Sequence, residues 1–192
     1  MYEIGKDSPK TRALAALIGK AVEQPFYTEM RTNQQLGYIV ASYPMNYDET
    51  YYLNFLIQSG DYPADDLNSR ANTFISSTPK IVEELTDETF QQLIDSAIER
   101  LERKPMSISE RAMKNKNIIF EHNKDFERDN NTIEALREIN KEEVAIHLEK
   151  IISEKSRKMA NILAFAENHA NKSGVKSSFA DLEGWKSTKI YD

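Results

Sequence analysis

The sequence predicts an α+β fold in which helices pack on one mostly antiparallel sheet. Residues 35–58 hold two β-rich runs joined by a short polar stretch, while the remainder repeats apolar residues at helical spacing behind capping residues. The composition agrees. Only six Gly and six Pro interrupt 192 residues, and 40% hydrophobic with 29% charged residues suits one domain able to bury a core.

The first helix is expected over residues 9–29, with Ser8 as N-cap, Pro9 at its first position and Leu14, Leu17, Ile18 and Val22 on one face. Pro25 cannot donate a backbone bond, so a kink or break near Gln24 is expected. Residues 35–43 read as a strand and residues 46–49 as a turn. A second strand over residues 51–58 places Tyr51, Leu53, Phe55 and Ile57 on one face, making an antiparallel hairpin. Leu67, Phe74, Ile81, Val82 and Leu85 mark a long helix interrupted or bent near Pro79. Thr86 caps the next helix, which runs to about Arg103, and Ser107 or Ser109 opens another after Pro105. A short helix is expected over residues 132–139. Asn140 and Glu143 form a capping-box pattern ahead of Val144, Leu148, Ile151 and Ile152. Residues 159–166 fit helix or strand and are assigned as a strand returning to the sheet. The tail, residues 172–192, is expected to pack on the domain through Phe179, Leu182 and Trp185.

Several classes of function are disfavoured. A net charge of −6 and the absence of any long basic run argue against a broad nucleic-acid surface. The absence of Cys removes disulfides, thiol catalysis and Cys-ligated zinc without choosing a compartment. No apolar run approaches the ~20 residues of a membrane span, and the N-terminal residues do not read as a signal peptide. His122, His147 and His169 form no zinc-binding spacing. Glu143 and His147 share a helix face at i,i+4, which is half a metal site at most and is better read as a helix-stabilising pair. No metal site is assigned to this chain. There is no Gly-x-Ser-x-Gly elbow and no phosphate-binding loop.

One dense constellation remains, residues 26–40. Arg31 offers planar donors suited to a carbonyl or carboxylate, and Tyr38 offers a phenolic donor able to stabilise a developing oxyanion. Gln35 and Gly37 are expected to shape the local backbone, Gly37 by permitting a close approach. The structural alternative is that Arg31 pairs with a nearby acid and Tyr38 is ordinary strand packing.

The run Arg31-Thr32-x-x-Gln35-Leu36-Gly37-Tyr38-x-Val40, preceded by Pro25-Phe26-Tyr27, resembles the C-terminal half of the insulinase/pitrilysin family of zinc peptidases. Residues 84–90, 104–112 and 139–144, Phe126 and residues 181–186 fall in family-like order, so the resemblance covers most of the chain. Met30 stands where the family more often has Leu. The resemblance implies the last of four related α/β domains surrounding an internal chamber, and so a fragment of a larger protein. Zinc would be bound by another domain, in the N-terminal half that is this chain's expected partner. Tyr38 would face the scissile carbonyl or its oxyanion, and Arg31 would contact the backbone of a peptide substrate. The isolated chain is expected to be inactive. The family domain usually begins with a strand before its first helix, to which only residues 2–4 are expected to belong here, so that strand is expected to be missing or curtailed. The family habit favours a periplasmic over a cytoplasmic location. Two other readings stay open: a non-catalytic structural subunit of such an assembly, and an unrelated helical binding module lacking the hairpin.

Overall fold

The computed structural model describes residues 1–169 together with Gly184 and Ser187. The packing expected for residues 172–192, with its anchors Phe179, Leu182 and Trp185, lies outside the described residues. Three strands, β1 (Tyr2–Lys6), β2 (Ile39–Tyr47) and β3 (Thr50–Gln58), form one antiparallel sheet in the order β1-β3-β2. Within residues 1–169 six helices follow the chain around it: α1 (Pro9–Tyr27), α2 (Ala64–Glu83), α3 (Asp87–Glu102), α4 (Ile108–Glu121), α5 (Arg128–Glu138) and α6 (Lys141–Ile152). The expected α+β class is what is observed. The opening strand is present, since Tyr2–Lys6 pairs with β3 through a register shift between Glu3 and Gly5.

The helix starts are local chemistry. Ser8, Thr86, Ser107 and Asn140 each accept the backbone N–H three residues on, at 2.9–3.1 Å. The box at α6 closes on one side only, because the Glu143 carboxylate takes Lys10 instead of returning to Asn140. Of the kink or break expected near Gln24 and the interruption or bend expected near Pro79, neither takes the form of a break. The helix continues through Pro25 to Tyr27, and α2 runs unbroken through Pro79. Both prolines remove one donor, but each helix packs against several neighbours whose contacts hold it in place. Helix α5 begins four residues earlier than expected, at Arg128, where tertiary hydrogen bonds rather than apolar periodicity hold the first turn.

Helix α1 lies across the sheet with Leu14, Leu17, Ile18, Val22 and Phe26 buried beneath it. Gly19 lets it come this close: an added Cβ would lie 2.6 Å from Cδ of Pro44 on β2. Phe26 sits edge-on to Phe55 at 5.0 Å and to Phe74 at 5.4 Å, joining α1, the sheet and α2 in one core. The hairpin turn is tighter than expected. Only Asp48 and Glu49 lie between the strands, both at positive φ (46° and 57°), as a two-residue turn with the right twist requires. Residues 159–166 do not form the expected strand. Met159 makes a single antiparallel bridge to Tyr2, after which the segment leaves β1. A cavity of about 730 Å³ separates it from the end of β3.

An ion-pair cluster ties the first strand to the far side of the fold. Asp7 accepts from Arg12 Nε at 2.8 Å and from Arg128 Nη1 at 2.5 Å, and Arg128 Nη2 donates to the Tyr51 hydroxyl at 2.8 Å. Burial would raise the Asp7 carboxyl. The two guanidiniums outweigh it and hold the group below the usual carboxylate range.

Candidate functional site

The constellation at residues 26–40 is built by a change of helical pitch. After Tyr27 the chain widens into a π-helical stretch, Thr28–Asn33, closed by Gln34 N–H donating to the Glu29 carbonyl at 3.0 Å. Met30 and Leu36 are both fully buried, and Leu36 N–H donates to the Met30 carbonyl at 2.9 Å. These two apolar anchors clamp the ends of a loop. Between them Thr32, Asn33 and Gln35 are exposed, and Arg31 is half-buried.

Polar contacts hold the outside of the loop. The Glu29 carboxylate accepts from Gln34 Nε2 and Asn33 Nδ2, each at 2.8 Å, and these bonds, Gln34's first, hold its carboxyl below the usual range. Gln34 Oε1 in turn accepts from Arg70 Nη1 at 3.2 Å, and Arg70 Nε reaches Asp66 at 3.1 Å, which fastens the loop to α2. Asp66 and Arg70 are an i,i+4 pair on α2. Their link through Gln34 to Glu29 carried no sequence signal, because it spans 36 residues.

Residues 35–38 lie ahead of β2, which begins at Ile39 and not at Gln35. Gln35 has φ 53°, a left-handed conformation that cannot continue a strand. Gly37 touches the end of β3: an added Cβ would stand 2.0 Å from the Gln58 carbonyl oxygen and 2.8 Å from its carbon. The next residue, Tyr38, donates its N–H to that same oxygen at 3.2 Å. Replacing Gly37 by Ala is expected to cost about 2 kcal/mol, since backbone and not a flexible side chain must move. Thermal unfolding together with faster hydrogen exchange at the Tyr38 amide would read this; an unchanged melting temperature would contradict it.

This scaffold leaves Tyr38 85% exposed, with the Arg31 guanidinium 5.8 Å from its ring centroid. Arg31 makes no ion pair among the described residues, so the expected alternative of local pairing with an acid is not what is seen. Nor is the Tyr38 side chain packed within a strand. Chemically, the pair presents a phenolic O–H and up to five guanidinium N–H donors to solvent.

The histidine pair behaves differently. His147 Nε2 lies 3.0 Å from the Ile4 carbonyl oxygen, and burial lowers its affinity for a proton. With Glu143 on Lys10 and His147 on the backbone, these two side chains do not converge on a metal position. Among the described residues no three His, Asp or Glu side chains do so. They do not fit a zinc ion.

Residues 17–116, which include the whole constellation, match the family described as PQQ synthase PqqF-like, C-terminal lobe domain 4. The chain is 33% identical over 144 residues to human insulin-degrading enzyme, covering 74% of this chain and 14% of that protein. It is 24% identical over 182 residues to Protease 3 of Escherichia coli O6:H1, covering 95% of this chain and 18% of that protein. The crystal structure of pitrilysin shares its fold at a TM-score of 0.70 and 24% identity, over 76% of this chain and 16% of that one. The chain thus spans less than one fifth of the length of these relatives. It belongs to the insulinase/pitrilysin family of metallopeptidases, as a domain of their C-terminal lobe.

Proposed function

We propose that the chain serves as the C-terminal part of a zinc metalloendopeptidase and supplies substrate-facing hydrogen-bond donors to a site completed elsewhere in the parent protein. The observation that carries this reading is the Arg31 guanidinium, without an ion-pair partner among the described residues, beside the exposed Tyr38, both held on a braced loop. An unpaired, half-buried guanidinium keeps its donors free for an acceptor, and a peptide backbone offers carbonyl oxygens in a row. Arg31 binds and orients the peptide. Tyr38 donates to the scissile carbonyl as negative charge builds on its oxygen. Zinc supplies Lewis-acid polarisation and an activated water when bound by another domain of the parent. Gln35 and Gly37 set the backbone path that aims Tyr38. The names insulin-degrading enzyme and Protease 3 support peptides as the substrate class.

Arg31→Ala in the parent enzyme tests the reading. Because one charge-assisted contact to bound peptide is lost, KM is expected to rise about tenfold with little change in kcat. Arg31→Lys should recover only part of the loss, since an ammonium cannot reproduce the planar fork. Wild-type KM in Arg31→Ala would place the peptide elsewhere and favour a structural role for this domain.

A further inference from the structure

The last part of β3 has a strand partner on one side only. In a hairpin closed by two residues the flanking pair, here Tyr47 and Thr50, is hydrogen-bonded, and antiparallel alternation turns the backbone groups of Asn54, Leu56 and Gln58 toward β2. Those of Leu53, Phe55 and Ile57 therefore point to the opposite side, where β1 lies. β1 pairs as far as Leu53, through Tyr2. Phe55 and Ile57 thus present their N–H and C=O groups without a strand partner among the described residues. Neither residue is buried, so these groups can be reached.

The other flank of β1 shows the same alternation. Glu3 N–H donates to the Lys158 carbonyl at 2.9 Å. The Met1 nitrogen donates to the Ala160 carbonyl at 2.7 Å, and Ala160 N–H donates to the Met1 carbonyl at 3.0 Å. Tyr2 therefore faces β3 while Met1 and Glu3 face residues 158–160, so β1 has a neighbour on each side. Past Ala160, residues 161–165 make no backbone hydrogen bond among the described residues. Asn161 Nδ2 donates to Asn68 Oδ1 at 2.8 Å and holds this segment near α2. Between the segment and β3 lies the cavity of about 730 Å³, which Met1 and Tyr2 also line, with Leu67, Ala71 and Ile75 of α2 as an apolar floor.

We propose that β1 extends into this cavity, and that its occupant is the stretch of about four residues immediately N-terminal to Met1 in the parent protein, inserted as a central antiparallel strand between β3 and residues 160–165. The pairs already formed set the register. The first and third residues before Met1 pair with Phe55 and Ile57, and the second and fourth pair with Ile162 and Ala164. Cross-strand partners share a face, so the first and third follow Tyr2 and Phe55 onto the core side. They are apolar and fill the space beside Leu67 and Ile75. Two features select this occupant over a peptide bound from solution. The ladder reaches Met1 with bonds on both flanks, so the next residue is already aimed between two free edges, and a tethered segment enters at high effective concentration. The matched family domain is the fourth, and this chain spans less than one fifth of its relatives' length. With the slot filled, residues 160–165 take up the strand that they do not form alone. The inference is independent of the roles given to Arg31 and Tyr38.

The test uses the full-length parent enzyme, with hydrogen exchange read residue by residue by fragmentation mass spectrometry. Replacing the four residues before Met1 by Gly-Ser-Gly-Ser keeps the chain length and removes the side chains that fill the slot. Exchange at the Phe55 and Ile57 amides is expected to quicken about tenfold or more, while Asn54 and Leu56, bonded to β2, change less than about twofold. Equal exchange at Phe55 and Ile57 before and after the replacement means that another segment covers this edge and overturns the proposal. Uniform quickening at all four amides is general loosening and overturns it too. Ile162→Pro, at a residue 90% exposed, removes one N–H from the outer flank. It is expected to quicken exchange at Ala164 about tenfold in the otherwise wild-type enzyme and to change nothing once the four residues are replaced. An effect that persists after the replacement overturns the insertion beside residues 160–165. Should the replaced enzyme fold poorly, the wild type decides: Phe55 and Ile57 amides as slow as Asn54 and Leu56 support the strand, and free-peptide rates overturn it. No peptide substrate enters these measurements, so their outcome is separate from that of Arg31→Ala.

Discussion

Tyr38→Phe in the parent peptidase is expected to lower kcat by about 100-fold while KM stays within roughly threefold of wild type. Phe keeps the ring that the Arg31 guanidinium faces at 5.8 Å, so peptide positioning survives. Only the phenolic O–H is lost. A donor aimed at charge that appears in the transition state contributes little to substrate binding, and deleting one such donor typically costs 10²–10³ in rate. Steady-state kinetics on one peptide substrate separates the outcomes. Equal kcat for the two proteins would leave Tyr38 as a surface residue, and a pure KM effect would make it a binding group. The exposure of Tyr38 is what makes the experiment clean: at 85% exposure, removing one oxygen leaves no buried cavity behind.

Asp7→Ala is expected to destabilise the chain by about 3 kcal/mol and to lower its melting temperature by roughly 10 °C. Asp7 is the shared acceptor for Arg12 and Arg128, whose side chains are only 10% exposed. Removing it leaves the Arg128 guanidinium without a carboxylate and Arg12 with only its longer contact to Asp125 at 3.5 Å. Arg12 still donates to the Arg128 carbonyl at 2.9 Å and to Thr132 Oγ1 at 3.2 Å, which keeps the loss from being larger. The same contact predicts a pH dependence. The Asp7 carboxyl titrates lower when folded than its ordinary value of 3.8, so the unfolded chain binds more protons in that window. The stabilisation is complete above the ordinary value and is lost as pH falls through the folded one. Thermal melts from pH 7 to pH 2 should show wild type converging on Asp7→Ala below about pH 4. A constant gap between the two across that range would contradict the assignment.

The sequence was readable wherever a short-range rule decided the outcome. Ser8, Thr86 and Asn140 cap the helices that they were expected to cap, because a cap is a contact three residues long. The alternation through Leu53 and Phe55 produced the hairpin, and the donor chemistry of Arg31 and Tyr38 was visible from residue type and motif. The errors share one cause. At Pro25 and Pro79 local rules allowed a kink or a break, and the helices run on through both because neighbouring elements pack on them. The strand expected from Gln35 was displaced to Ile39 because Leu36 is drawn under the π-helical loop, a requirement of the core and not of propensity. Residues 159–166 fitted helix or strand by pattern and were assigned to the sheet from their position in the chain, but only Met159 bridges a strand, at Tyr2.

By itself the sequence determined the fold class and the position of the hairpin. Only the tertiary structure decided that Arg31 has no ion-pair partner among the described residues and that the Tyr38 side chain is left exposed beside it. The physical reason is range. Capping and alternation act within a few residues, whereas the Glu29–Gln34–Arg70–Asp66 brace and the contact of Gly37 with Gln58 join segments that meet only after the chain has folded.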